Sequence, residues 1–200
     1  MRDVSLFGED AGHEVVLKGL LNRLSLDSEV PVRITPLSVT GGVTRVHYEL
    51  GIFLRDVEKG KLRMPDLIVV ATDGNCKGYN ARRQEIERVA QPYASLLDLI
   101  VYAIPDPHIE RWLLADPSAF KTVLGRGCDL PQEKCEKNFY KQVLAKEVRE
   151  SGVKPILGGL EYADDITANM NLAAAEKNDA SLGRVLGELK ARFNQWKAQQ

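Results

Sequence analysis

The sequence predicts an α/β fold: a four-stranded parallel sheet flanked by helices, followed by a C-terminal helical extension. Three observations carry that expectation. An unbroken apolar run, LIVVAT at residues 67–72, is rich in β-branched residues and bounded by Pro65 and Gly74, as a strand buried on both faces should be. Strand-like and helix-like periods alternate regularly from residue 3 to residue 104, the pattern of right-handed βαβ crossovers. Beyond residue 107 the alternation stops, and only helical and loop patterns follow. Residues 1–107 are therefore expected to form the α/β core and residues 108–200 a helical extension packed on it, within a single domain.

Taken in order, residues 3–7 make a short first strand that runs into Gly8, Glu9 and Asp10. The next helix carries His13, Val16, Leu17, Leu20, Leu21 and Leu24 on one stripe. Residues 30–39 alternate as a second strand and end in a turn at Thr40, Gly41 and Gly42. Val43, Val46, Leu50, Phe53, Leu54 and Val57 mark a second helix that stops at Lys59 and Gly60. After the central strand, Asn80 reads as the N-cap of a third helix, whose stripe of Ile86, Val89, Ala90 and Tyr93 breaks near Pro92. Residues 98–104 form the fourth strand, closed by Pro105, Asp106 and Pro107. Helices are then expected at 108–115, 117–124 and 137–150, with 125–136 the least regular stretch. A connection at 152–159 leads to a last helix from about residue 182, with Leu182, Val185, Leu186, Leu189, Phe193 and Trp196 on its apolar face.

Composition narrows the function. The 200 residues are 44% hydrophobic and carry a net charge of −1, so no bulk basic field points to nucleic acid; a local patch or metal ions would be required. No apolar run is long enough for a membrane span. The N-terminal residues meet Glu9 and Asp10 too soon for a signal peptide, and the expected location is the cytoplasm. Cys76, Cys128 and Cys135 are odd in number and lack a CxxC spacing, which argues against a disulfide framework and a zinc knuckle and for reduced thiols. The chain has no phosphate-binding GxxxxGK[ST] loop, no GxSxG elbow and no dinucleotide fingerprint after its first strand.

Parallel sheets place ligands at the carboxyl ends of their strands, and Glu9 and Asp73 end two such strands. Two carboxylates brought together repel unless one is protonated or a cation sits between them. Oxygen ligands of this kind suit Mg2+ or Mn2+. Singly, Glu9 reads as a surface carboxylate near a helix start and Asp73 as a turn residue before glycine; their matched positions favour a site. Asn75 offers a weaker, neutral oxygen. His13, in the first turn of the helix, is a candidate ligand whose pKa the helix N-terminus should depress; the alternative is a buried histidine bonded to a backbone group. Lys77, Arg82 and Arg83 follow Asp73 closely and could meet a phosphate together with free backbone N–H groups, or could form a solvated basic face. His47 reads as a satisfied core residue, and His108 is too isolated to assign.

Glu9 after a first strand and Asp73-x-Asn75 after a later one resemble a degenerate Toprim pattern, Glu followed by Asp-x-Asp. The stretch PHIERWLLADP at 107–117 resembles the Glu-x-Trp-Leu-Leu-Ala-Asp segment of small Toprim-like proteins, often encoded beside ATPases in bacterial defence loci. The resemblance implies a Toprim-like sheet, a divalent-metal site and relatives among the nucleases of the overcoming-lysogenization-defect type. It also implies a role for Glu110, which points away from the stripe of Ile109, Trp112 and Leu113 and could hold a second metal; the plainer reading is a helix-start carboxylate. Trp112 and Asp116 read as a core anchor and a helix cap. Departures are Asp10 where the family has glycine, His13 where it often has an acid, and Asn75 for the second Asp. Two functions follow as expectations. One is a metal-dependent nuclease for DNA or RNA, with Glu9, Asp73, Glu110 and Lys77 catalytic and an ATPase as partner. The other is a degenerate sensor or assembly module that binds protein or nucleic acid without cutting.

Overall fold

The computed structural model describes residues 1–37 and 41–200, so the turn expected at Thr40 lies partly outside the described residues. Four strands, β1 (Arg2–Gly8), β2 (Val32–Pro36), β3 (Leu67–Ala71) and β4 (Ile100–Ala103), pair in parallel in the order β2-β1-β3-β4. All five β3 side chains are buried, as a strand covered on both faces requires. Gly8 pairs with Ala71 and Ala71 with Ala103, so three chains leave the sheet at one level.

Three helices return the chain between strands: α1 (Ala11–Ser28), α2 (Gly42–Glu58) and α3 (Gly78–Ala90). α1 lies on one face with Val4, Leu6, Leu67 and Val69; α2 and α3 lie on the other with Phe7, Ile68 and Val70. Alternate residues of each strand thus feed opposite cores. The helix expected to have Asn80 as its N-cap begins three residues earlier, with Lys77 at the N-cap position and Gly78 first in the helix. The Gly74 carbonyl accepts the N–H groups of both Lys77 and Gly78 and starts the turn without a side-chain cap. At Pro92 the helix tightens into a 3-10 segment, Gln91–Leu99.

The C-terminal part comprises α4 (Glu110–Leu113), α5 (Pro117–Leu124), α6 (Phe139–Glu150), a 3-10 turn Leu160–Tyr162, α7 (Ala163–Asn169), α8 (Leu172–Asn178) and α9 (Ala180–Lys197). Residues 160–178, not expected to be helical, hold three short pieces that each bury only two or three side chains or none, too few to show a period. Carboxylate and amide caps punctuate them: Asp116 accepts the Ser118 N–H, Asn171 that of Ala174, and Asp179 that of Leu182. The extension has no separate core. Trp112, Phe120, Leu144, Ile166, Leu186 and Phe193 belong to the same cluster as α1 and its face of the sheet. Among the described residues, no helix is long and apolar enough to cross a membrane.

α1 and α7 meet at Gly19, where an added Cβ would lie 2.1 Å from Thr167 Oγ1. That hydroxyl is fixed by its 2.8 Å bond to the Ala163 carbonyl, so it cannot swing aside freely. Gly19→Ala is expected to cost about 1–3 kcal/mol through overpacking, despite alanine's better helix propensity. Equal urea midpoints for variant and wild type would show that α7 yields at this contact.

Candidate metal centre

Because β1 and β3 are neighbours in register, Glu9 and Asp73 emerge side by side. The Asp73 N–H donates to Glu9 Oε2 at 3.1 Å. Asp10 caps α1: its Oδ1 accepts the His13 N–H at 3.1 Å and the same residue's ring Nδ1 at 2.8 Å. That second bond aims the other ring nitrogen, Nε2, at Asp73 Oδ1, 3.0 Å away. The ligand atoms of Glu9, His13 and Asp73 all lie within 4.8 Å of one another, with His13 and Asp73 buried. Two carboxylate oxygens and an imidazole nitrogen form a group that could hold a metal ion. The carboxylate behind the imidazole is the support that metal-binding histidines commonly have.

The electrostatics differ from the sequence expectation at one point. His13 was expected to be neutral beneath the helix dipole. Burial does oppose its charge, but the Asp73 carboxylate and the bonds to Asp10 and Asp73 outweigh burial and raise its pKa to about 10. Asp73 is likewise held at about 2, against burial, by the charge of His13 and the bonds from His108 and His13. Asp10 is lowered, chiefly by its bond from the His13 ring. Glu9 is raised, first by burial and then by the Asp73 charge. The site is a place where carboxylates demand positive charge, and here a proton on His13 meets that demand.

Other predicted residues fall into three groups. Glu110, expected to point away from the packed face, is instead 1% exposed, and neither of its oxygens has a hydrogen-bond partner among the described residues. The Lys141 ammonium stands 3.8 Å from it and 3.6 Å from Asp10. Burial, then the nearby Asp73 charge, raises the Glu110 pKa. Asn75, in the left-handed conformation with φ 48°, turns its Nδ2 back to the Asp73 carbonyl at 3.4 Å. Arg82 is buried and donates to the same carbonyl at 2.9 Å, while its Nη1 and the Lys77 ammonium both hold Glu85 at 2.8 Å. Arg83 does not join them. It pairs with Glu87 and lies over the Tyr102 ring, lining a groove of about 800 Å³ along the β4 edge.

Three histidine and cysteine expectations are corrected. His108 is not isolated: its Nδ1 donates to Asp73 Oδ2 at 2.9 Å, and the Ile109 N–H donates to Asp73 Oδ1 at 3.0 Å. The strand-end rule that selected Glu9 and Asp73 would have found it, since His108 follows β4, the neighbour of β3. His47 is half-buried, and its Nε2 lacks a partner among the described residues. Cys76 and Cys135 are not reduced thiols but form a disulfide; the third cysteine, Cys128, is buried, and burial pushes its thiol up to about 12. Asp10 carried a sequence signal as an acid directly before a helix, whereas Lys141 carried none. Trp112 and Asp116 stand as expected: the indole N–H donates to Ser181 Oγ at 2.8 Å, and Asp116 also accepts the Asn171 N–H at 2.7 Å. Comparisons with protein families, with curated proteins and with solved structures returned no match.

Proposed function

We propose that this chain is a divalent-metal-dependent phosphodiesterase of the Toprim type that acts on DNA or RNA, with Mg2+ or Mn2+ held by Glu9, His13 and Asp73. The observation that carries the reading is the convergence of those three side chains at the carboxyl ends of β1 and β3. One imidazole among oxygen donors tilts the choice toward manganese. Bound there, such an ion supplies Lewis-acid charge to a phosphoryl oxygen.

The chain's own residues do the rest. Asp10 orients His13, and His108 with the Ile109 N–H fixes Asp73. Lys77 and Arg82, which both pair with Glu85 beside the Asp73 loop, are the cations we assign to hold a phosphate and offset charge developing on it. Glu110, buried, with no hydrogen-bond partner among the described residues and with Lys141 at 3.8 Å, is the group we assign to take or give a proton. Work in the cytoplasm beside an ATPase partner completes the proposal, supported by the resemblance of residues 107–117.

A second reading, a module that binds without cutting, draws support from Asp73 itself. Its two oxygens already accept three protein donors, and Asn75 brings no charge. Nicking of plasmid DNA or tRNA in the presence of manganese separates the two. The enzyme reading expects cleavage that is lost in Glu9→Ala, with titration calorimetry showing loss of manganese binding in the same variant. Cleavage unchanged by the substitution, or none with any metal or partner, assigns the chain to the binding module.

A further inference from the structure

Cys76 and Cys135 lie 59 residues apart in sequence, and their Cα atoms are 5.4 Å apart, within the usual span of a disulfide. Both are exposed, so a small thiol can reach either sulfur. Cys76 belongs to the loop that carries Asp73 out of β3. It directly follows Asn75, whose N–H is bonded to the Pro107 carbonyl at 2.9 Å. Cys135 lies in the irregular stretch between α5 and α6.

That stretch is otherwise loosely held. Residues 132–138 are all exposed, and between Leu130, packed on the core, and the fully buried Tyr140 no apolar side chain is buried. Its other ties are few and polar: Glu133 to Arg111 at 3.7 Å, the Gln132 carbonyl to the buried Tyr140 hydroxyl at 3.3 Å, the Lys134 N–H to that hydroxyl at 3.1 Å, and the Lys134 ammonium 4.9 Å from the Phe139 ring. The ion pair of exposed Glu133 contributes little, and none of these contacts is an apolar anchor of residues 132–138 in the core. The bridge therefore supplies the strong connection between two walls of the candidate site. One wall is the loop bearing Asp73. The other is the start of α6, where Lys141 reaches Asp10 and Glu110 and the Tyr140 ring stands 6.1 Å from that of His108.

We propose that the Cys76–Cys135 pair is a reversible redox latch: as a disulfide it pins residues 131–138 across the rim between the Asp73 loop and α6, and a dithiol reductant releases them. In the opening step a reductant thiolate attacks one protein sulfur, the protein S–S bond breaks, and a mixed disulfide forms. The reductant's second thiol then displaces the remaining protein sulfur. Two electrons and two protons pass to the protein, which becomes a dithiol, while the reductant becomes a disulfide. In a reducing compartment the resting form is the open one, and oxidation closes it. The latch stands on the position of the two cysteines and is independent of the metal and nuclease readings.

The test uses the full chain in a chelator, oxidised with oxidised glutathione or reduced with dithiothreitol. Alkylation by iodoacetamide, read by mass spectrometry of the folded protein, should add no label to the oxidised form and two to the reduced form, because Cys128 is buried. Amide exchange in residues 74–78 and 131–138, and tryptic cleavage after Lys134 and Lys137, should speed up at least tenfold on reduction. Cys76→Ser and Cys135→Ser should show the fast rates under both conditions. Labelling of both cysteines in the oxidised sample, or equal exchange and cleavage in the two redox forms of wild type, would overturn the proposal.

Discussion

Asp73→Ala is expected to lower stability by about 3–5 kcal/mol, the usual cost of removing one partner from a buried charge pair. Asp73 is the hub of the site: it accepts from His13 at 3.0 Å, from His108 at 2.9 Å and from the Ile109 N–H at 3.0 Å. Without it, His13 is left fully buried with Asp10 alone, and the Ile109 N–H has no acceptor. Asp73→Asn should cost less, since an amide oxygen still accepts one or two of these bonds while the charge is lost. Urea unfolding in chelator at neutral pH measures both. A stability loss of only a few tenths of a kcal/mol in Asp73→Ala would mean that the three bonds do not hold the site together.

Glu110→Gln is expected to act in the opposite direction, stabilising the fold by about 1–3 kcal/mol at mildly alkaline pH. The wild-type carboxylate is desolvated, with no hydrogen-bond partner among the described residues and the Lys141 ammonium 3.8 Å away. Its pKa is raised by burial and by Asp73, so above about pH 4 the folded protein binds more protons at this position than the unfolded chain. This contribution to stability therefore falls as pH climbs from the ordinary carboxylate range through the raised value. The variant should lack that slope, and any nuclease activity that depends on the carboxylate handling protons should fall with it. A residue that costs the fold energy yet remains in place is the pattern expected where activity and stability compete. Lower stability than wild type across pH 5 to 9 would show instead that Glu110 is effectively paired.

Much of the core was readable because the signals were long or rested on a rule of topology. The β3 run, the stripes of α1, α2 and α9, and the cap at Asp116 each follow from local pattern. Glu9 and Asp73 were found because parallel strands bring their carboxyl ends to one level. The charge state of His13 was misjudged for a reason of magnitude. A helix dipole is worth about 0.3–1 kcal/mol, whereas each hydrogen bond to a charged group is worth about 1.5–3 kcal/mol. Two carboxylates outweigh the dipole. His108 lay within reach of the same strand-end rule, whereas Lys141 and the Cys76–Cys135 bridge depend on contacts between distant segments, which no local period records. The odd cysteine count misled because one bridge plus one buried thiol also makes three.

The ties between the 108–116 stretch and the start of α9 have a consequence for timing. Arg111 is paired with Asp179, and the Trp112 indole with Ser181, so the wall that carries His108 and Glu110 is completed by residues nearly seventy positions later. As the chain is synthesised, β1 to β4 can pair before α9 exists, but the carboxylate cluster then lacks its backing. Contacts of such long sequence separation form late, after their closure entropy has been overcome. A nascent chain lacking α9 would have neither Asp179 to pair with Arg111 nor Ser181 to accept from the Trp112 indole, so this wall of the site would be completed only when the final helix docks. Any metal-dependent chemistry would thus be withheld from the incomplete chain.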